Sequence, residues 1–430
     1  MHTRHPFTRT AALVVAGALF AGCATTNVPP MGFQGQPFKP EADERRIWAK
    51  AEKEAQKLET LNKLYDDPLL EEYLARVADR LIPDQVKEAG GPGFRFAVFR
   101  DPSLNAFAMP HGRVYLHTGL LARLESEAQL ATILAHELTH VTHRHPLRAF
   151  RDQRNKRFLF GAAGIAASLA VAVAAGEQAR RGHPVSAEVL RQTGNVLLGL
   201  GLTLAYAASV TGYSRDLERE ADEEGMARLV KAGYDPNEAP KVFELFKKDH
   251  GDRGPLETFF FGSHPRLAER IENATRLLRT RYAVEASEEG RVVDTPEFSL
   301  RLRTVIRENA LLDLRAGRFN LAKAQLDRVL ALTPRDPTAQ LYYGDLYRLQ
   351  AQRAKSSADK QDLARLAIER YEQASTLDPT FADPFRQLGF LYYQQQELDR
   401  AREAFQRYLA LKPEAPDARR IKEYLLELER

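Results

Sequence analysis

The chain has 430 residues, too many for one compact core, and its 62 Lys and Arg nearly balance its 58 Asp and Glu, giving a pI near 8.9. Two or three domains are expected; the near-balance argues against a nucleic-acid specialist and leaves only a weak attraction to an anionic membrane surface. A single cysteine, Cys23, excludes a fold held by disulfides.

Arg4 and Arg9 precede an apolar run over 11–20 that stops at Ala21-Gly22-Cys23. That run is too short to cross a bilayer comfortably and reads as a secretory signal peptide over 1–22. The lone cysteine behind small residues resembles a bacterial lipobox, with Cys23 acylated and first in the processed chain; Phe20 departs from the Leu that the pattern prefers there. Ala24 follows where Asp would retain a lipoprotein at the inner membrane. The expected location is therefore the periplasm, lipid-anchored to the outer membrane. Residues 23–40, with Pro29, Pro30, Gly32, Gly35 and Pro37, are expected to form a flexible tether.

Helix signals run from Glu41 to Tyr65. After Asp66-Asp67-Pro68, an amphipathic helix over 69–82 is predicted, with Leu70, Tyr73, Leu74, Val77 and Leu81 on one face. Alternation in Phe94-Arg95-Phe96-Ala97-Val98-Phe99, then Asn105-Ala106-Phe107-Ala108 and Arg113-Val114-Tyr115-Leu116-His117, predicts a small sheet.

The chemistry lies in His136-Glu137-Leu138-Thr139-His140, preceded by the apolar, helix-forming run 130–135. Residues four apart share a helix face, so His136 and His140 can converge on one zinc ion. Glu137 beside them can take a proton from a zinc-bound water and pass it to a leaving amine. A catalytic zinc needs a third protein ligand, and Glu218-Arg219-Glu220-Ala221-Asp222 offers one. Glu218 and Asp222 are also four apart, so one can bind the metal while the other holds a ligand histidine's free N–H. Glu220 is a rival, rotated well away from Glu218 on a helix.

Between these motifs, 158–176 and 194–213 are uncharged stretches approaching membrane-spanning length. Alanine and glycine dominate them, which favours an apolar helical hairpin over 158–213 rather than two spans. In the last third, Leu332-Thr333-Pro334, Leu377-Asp378-Pro379 and Leu411-Lys412-Pro413 end equivalent helix pairs. Pro379 and Pro413 are 34 residues apart, the tetratricopeptide period, whereas Pro334 and Pro379 are 45 apart. The polar stretch 351–361 is expected to absorb the excess as an insertion.

These pieces, together with Gly112 and Thr118-Gly119-Leu120-Leu121, make the stretch from about Tyr65 to Arg270 resemble the HtpX and CAAX-prenyl-protease family of zinc metallopeptidases. The resemblance implies a zincin-type domain holding one zinc per chain, with Glu218 as third ligand and Asp222 behind the ligands. It also implies that Val114, Tyr115 and Leu116 form an edge strand along the cleft, to which an extended substrate adds as a further strand. A Ser-His-Pro element with a following arginine, here Ser263-His264-Pro265 and Arg270, is another shared feature. His264 would then be an oxyanion donor or, as favoured here, a fourth ligand that keeps the enzyme latent; a plain helix-capping histidine is the bland alternative.

The expected architecture is α+β and mainly α: a protease domain over 41–285 with a small sheet, then an all-α repeat solenoid over 286–430. The expected function is a lipid-anchored periplasmic zinc metalloendopeptidase. Its substrates would be unfolded or misassembled outer-membrane proteins, and its repeats would recruit partners such as the β-barrel assembly machinery, as the resemblance implies. The alternative is a chaperone-like assembly factor whose zinc site is largely latent.

Overall fold

The computed structural model describes residues 25–60, 63–160, 213–251 and 267–429. Cys23, residues 161–212 of the apolar stretches and His264 lie outside them. No helix among the described residues is long and apolar enough to cross a membrane. The chain divides into two compact units, 1–99 with 103–295, and 296–430 with the short segment 100–102.

In the first unit, α1 (Ala42–Thr60) buries Ile47, Ala51, Ala55 and Leu58. β1 (Leu64–Tyr65) follows, then α2 (Pro68–Leu81), which starts where the Asp67 carboxylate accepts from the Leu70 amide at 3.0 Å and Pro68 supplies a preset φ. The helix stops at extended Ile82, as the following Pro83 requires. Its buried face is Leu70, Tyr73, Leu74, Val77, Ala78 and Leu81, which includes all five predicted positions. The short α3 (Asp84–Glu88) leads to the strands.

β2 (Arg95–Phe99), β3 (Ala106–Ala108) and β4 (Arg113–His117) complete a four-stranded sheet in the order β1-β2-β4-β3. β4 pairs in parallel with β2, Val114 opposite Phe96, and antiparallel with β3, Tyr115 opposite Phe107. Val114, Tyr115 and Leu116 are therefore interior. Ladders on both sides occupy their backbone groups, so the expectation of an edge strand there is corrected; among the described residues the outer strands of the sheet are β1 and β3. After α4 (Thr118–Leu121) comes the central helix α5 (Glu127–Thr142), started by the Ser126 hydroxyl, which accepts from the Gln129 amide at 3.3 Å.

Every residue of α5 except Thr132 is buried, because α2, β3, α6 (His145–Phe160), α7 (Arg215–Lys231) and α8 (Glu238–Gly251) all pack on it. Its three threonines satisfy their hydroxyls internally: Thr132, Thr139 and Thr142 donate to the carbonyls of Ala128, Ala135 and Leu138 at 2.8–2.9 Å. At its first turn, buried Glu127 accepts from the hydroxyls of Tyr73 and Tyr234, each at 2.8 Å, and from Thr295 and Arg80. The Glu127 amide donates to Asp294 Oδ1 at 3.1 Å. α9 (Leu267–Thr280) and α10 (Ala283–Ser287) complete the unit.

The second unit is a stack of antiparallel helix pairs: α11 (Pro296–Arg315) with α12 (Phe319–Leu332), α13 (Pro337–Arg353) with α14 (Ser357–Leu377), α15 (Ala382–Gln394) with α16 (Leu398–Leu411), and a closing α17 (Ala418–Leu428). Equivalent glycines sit where paired helices come closest: a Cβ on Gly344 would lie 2.4 Å from the Tyr371 ring, and one on Gly389 2.4 Å from Phe405. The extra residues of the middle pair are not looped out. α13 has 17 residues against 13 in α15, and α14 has 21 against 14 in α16, so the excess lengthens both helices.

Candidate metal centre and active site

α5 presents His136 and His140 one turn apart, with their Nε2 atoms 3.0 Å apart and the rings edge to face. α7 begins after Ser214 and brings Glu218 to the same point: Oε2 lies 3.5 Å from His136 Nε2 and Oε1 3.7 Å from His140 Nε2. All three side chains are buried. Zinc bonds of 2.0–2.1 Å in tetrahedral geometry place ligand atoms about 3.3 Å apart, so these spacings fit a zinc ion with two nitrogen ligands and one oxygen ligand. What permits the approach is Gly225, one turn past Asp222 on α7: a Cβ there would lie 3.3 Å from the His136 amide nitrogen.

Behind His136, Nδ1 lies 2.9 Å from Asp222 Oδ1, which fixes the ring and leaves the Nε2 lone pair for the metal. Arg270, from the first turn of α9, forks onto Asp222 with Nε at 2.9 Å from Oδ2 and Nη2 at 2.6 Å from Oδ1. Its guanidinium stacks on the Phe243 ring at 4.3 Å. Burial alone would raise the Asp222 pKa, but the Arg270 charge and the bonds from His136 and Arg270 outweigh it and hold the carboxyl below its ordinary value. Glu137 follows His136 on α5 and is 1% exposed.

Residues 68–278 match Peptidase family M48. That match spans 211 residues, just under half of the chain, and falls in the first unit but for residues 100–102. The chain is 36% identical over 217 residues to the putative beta-barrel assembly-enhancing protease of Vibrio cholerae, covering 50% of this chain and 40% of that protein. It is 31% identical over 223 residues to the beta-barrel assembly-enhancing protease of Escherichia coli K12, covering 49% of this chain and 39% of the relative. The mitochondrial metalloendopeptidase OMA1 of Schizosaccharomyces pombe is 31% identical over 199 residues, 46% of this chain and 50% of its own. The chain thus spans half or less of the length of the curated relatives it matches. Residues 354–425 match a tetratricopeptide repeat family, in keeping with the helix pairs of the second unit.

Several residues around the M48 centre carry no sequence signal of their own. Tyr213 stacks on the His140 ring at a centroid distance of 4.2 Å and Phe243 underlies Arg270, yet neither belongs to a motif. Glu220, the rival third ligand, faces elsewhere: its Oε1 is 2.8 Å from His143 Nδ1, and Arg148 Nη1 donates to both its oxygens at 2.8–2.9 Å. The only hint of this second cluster is the run His143-Arg144-His145 just past the zinc-binding motif.

Two of the buried histidines, His136 and His145, respond oppositely to their surroundings in the metal-free protein. Burial and the Arg270 charge push His136 down, but hydrogen bonds to Asp222 and Glu218 and the Asp222 charge prevail and raise its pKa to about 9. Burial dominates at His145 and lowers it to about 4, despite Glu220. A raised histidine contributes stability that is full below the unfolded value near 6.5 and is lost as pH rises through 9. A depressed one costs stability as pH falls from about 6.5 towards 4, since the unfolded chain then binds the extra proton. The metal-free M48 unit should therefore be most stable between about pH 6 and 7, measured by chemical denaturation at pH 5, 6.5 and 9. A maximum at pH 9 would contradict the His136 assignment. Zinc should remove the alkaline limb, because a ligand imidazole binds deprotonated.

Proposed function

We propose that this protein is a zinc metalloendopeptidase of the bacterial envelope that cleaves unfolded or misassembled outer-membrane proteins. The observation that carries the reading is the buried triangle of His136, His140 and Glu218 with Glu137 adjacent on the same helix. Zinc, when bound there, would supply a Lewis acid and a water acidic enough to ionise near neutral pH. Glu137 would accept that proton and return it to the departing amine. Asp222 and Arg270 hold His136 in the required tautomer and orientation, while the packing around α5 keeps bulk water from the ligands' inner faces.

The names of the bacterial relatives support substrates among assembling β-barrel proteins. The repeat unit supports a recruiting role, since stacked helix pairs build extended peptide-binding or partner-binding surfaces and carry no chemistry of their own. The β-barrel assembly machinery is the partner we propose, and acylation of Cys23 the means of attachment. His264 is proposed to restrain the site as a fourth ligand.

The test is proteolysis of an unfolded outer-membrane β-barrel protein by the purified chain, removed by a chelator and restored by one equivalent of zinc. Zinc binding with no cleavage of any unfolded client would leave only the chaperone-like role. In cells, Cys23→Ser should move the protein from the membrane to the soluble periplasmic fraction. Retention on membranes after a high-salt wash would show an anchor other than lipid.

A further inference from the structure

His140 has a neighbour that the metal site does not use. α5 ends at Thr142, and the chain reverses through His143 and Arg144, the latter in the left-handed region at φ 57°. Such a conformation in a non-glycine residue is costly, and here it is held by Arg144, whose Nε and Nη2 donate to Glu44 at 3.0 and 2.6 Å, with Nη2 also 3.0 Å from Glu41. The reversal folds His145, the first residue of α6, back beneath the end of α5. There His145 is fully buried with its Nδ1 2.8 Å from His140 Nδ1. On its far side His145 Nε2 lies 3.6 Å from Glu220 Oε1, the carboxylate gripped by His143 and Arg148.

We infer that His145 is a positioning residue for the ligand His140, and that Glu220 in turn orients His145, so that a relay runs from His140 through His145 to Glu220. Proton placement dictates this relay, given the zinc site proposed above. With His140 Nε2 given to the metal, the His140 proton is on Nδ1, where it donates to His145 Nδ1. A neutral His145 then carries its own proton on Nε2, the nitrogen 3.6 Å from Glu220 Oε1. His136 is served by the same device in one step, its Nδ1 against Asp222. Each ligand histidine thus has a carboxylate behind it, direct for His136 and through a second imidazole for His140.

His143, His145 and Glu220 also stand close enough together to invite a second metal. The same proton count opposes it. A metal on His145 Nε2 would move that ring's proton to Nδ1, facing the His140 Nδ1–H, and two donors cannot share a 2.8 Å contact. Arg148, donating to both oxygens of Glu220, adds a positive charge where the second ion would sit.

The experiment has two readouts that do not depend on activity. In zinc-loaded wild-type protein, histidine side-chain 1H–15N correlation should find His145 protonated on Nε2; protonation on Nδ1 would overturn the relay. Zinc affinity, measured by competition with a chromophoric chelator, should fall about 10- to 100-fold in His145→Leu and recover most of that loss in His145→Asn, whose Oδ1 stands near the lost Nδ1 acceptor. Unchanged affinity in a folded His145→Leu, or equal losses in both variants, would also overturn it. Two zinc ions on the wild type, with His145→Leu losing one and keeping the other at full affinity, would replace the relay by a second metal site. Failure of the underlying zinc assignment looks different: His140→Ala would bind zinc as well as the wild type does. Should His145→Leu not fold, the tautomer measured in the wild type decides the matter.

Discussion

Glu137→Gln should reduce proteolysis by about 10²- to 10⁴-fold while leaving zinc stoichiometry and affinity near those of the wild type. The amide has almost the same volume, so the buried position next to His136 is kept in shape and the three ligands are untouched. What disappears is a group able to accept a proton and return it. Cleavage of an unfolded client by wild-type and variant protein, with zinc content measured in both, checks this. Retention of more than about a tenth of the wild-type rate would remove Glu137 from the chemistry. The same variant separates the two roles open to the protein, since client binding and assembly promotion without cleavage would survive the substitution.

The second large effect is expected at Arg270→Ala. Arg270 is 4% exposed and supplies two charge-assisted bonds to Asp222, whose side chain is 12% exposed, so the variant leaves that carboxylate with His136 as its remaining partner among the described residues. Breaking a buried pair from one side costs about 3–5 kcal/mol. At about 2–4 °C per kcal/mol for a domain of this size, the Tm of the M48 unit should drop by roughly 10 °C. Zinc affinity should fall as well, because Asp222 no longer holds the His136 ring from a fixed position. Arg270→Lys should recover only part of the loss: an ammonium restores charge but neither the two-pronged geometry nor the stacking on Phe243. Thermal unfolding and chelator competition on the three proteins measure both quantities. A destabilisation under about 1 kcal/mol would mean that Asp222 finds solvent once the arginine is gone.

The metal centre was legible because its decisive spacings are local. His136 and His140 are fixed by helical period alone, and so is the rotation that turns Glu220 away from Glu218. Where Glu220 goes instead was not legible. His143 and His145 stand beyond the end of α5, and only the backbone reversal at Arg144 brings them round. The strands were found by alternation, but their order was not: placing β4 between β2 and β3 is a matter of long-range pairing, on which side-chain alternation is silent. In the repeat unit the period was plain and the fate of the excess residues was not. Residues 351–361 look like a loop by polarity, yet much of the stretch is helical in the extended α13 and α14, whose projecting turns face water and need no apolar face.

The burial of α5 at every position but Thr132 has a kinetic consequence. A helix at the surface can fray and release a metal by local opening, at a small fraction of the cost of unfolding the domain. α5 has no free flank from which to fray: its first turn is tied by Glu127 to Tyr73, Tyr234 and Thr295, and its last by Thr142, which accepts from Arg228 Nη2 at 2.6 Å. Its amide protons should exchange with solvent only when the whole unit opens, among the slowest in the chain. The ligands on this helix are then as durable as the domain itself, and a bound ion leaves through the mouth of the site rather than through the collapse of its walls.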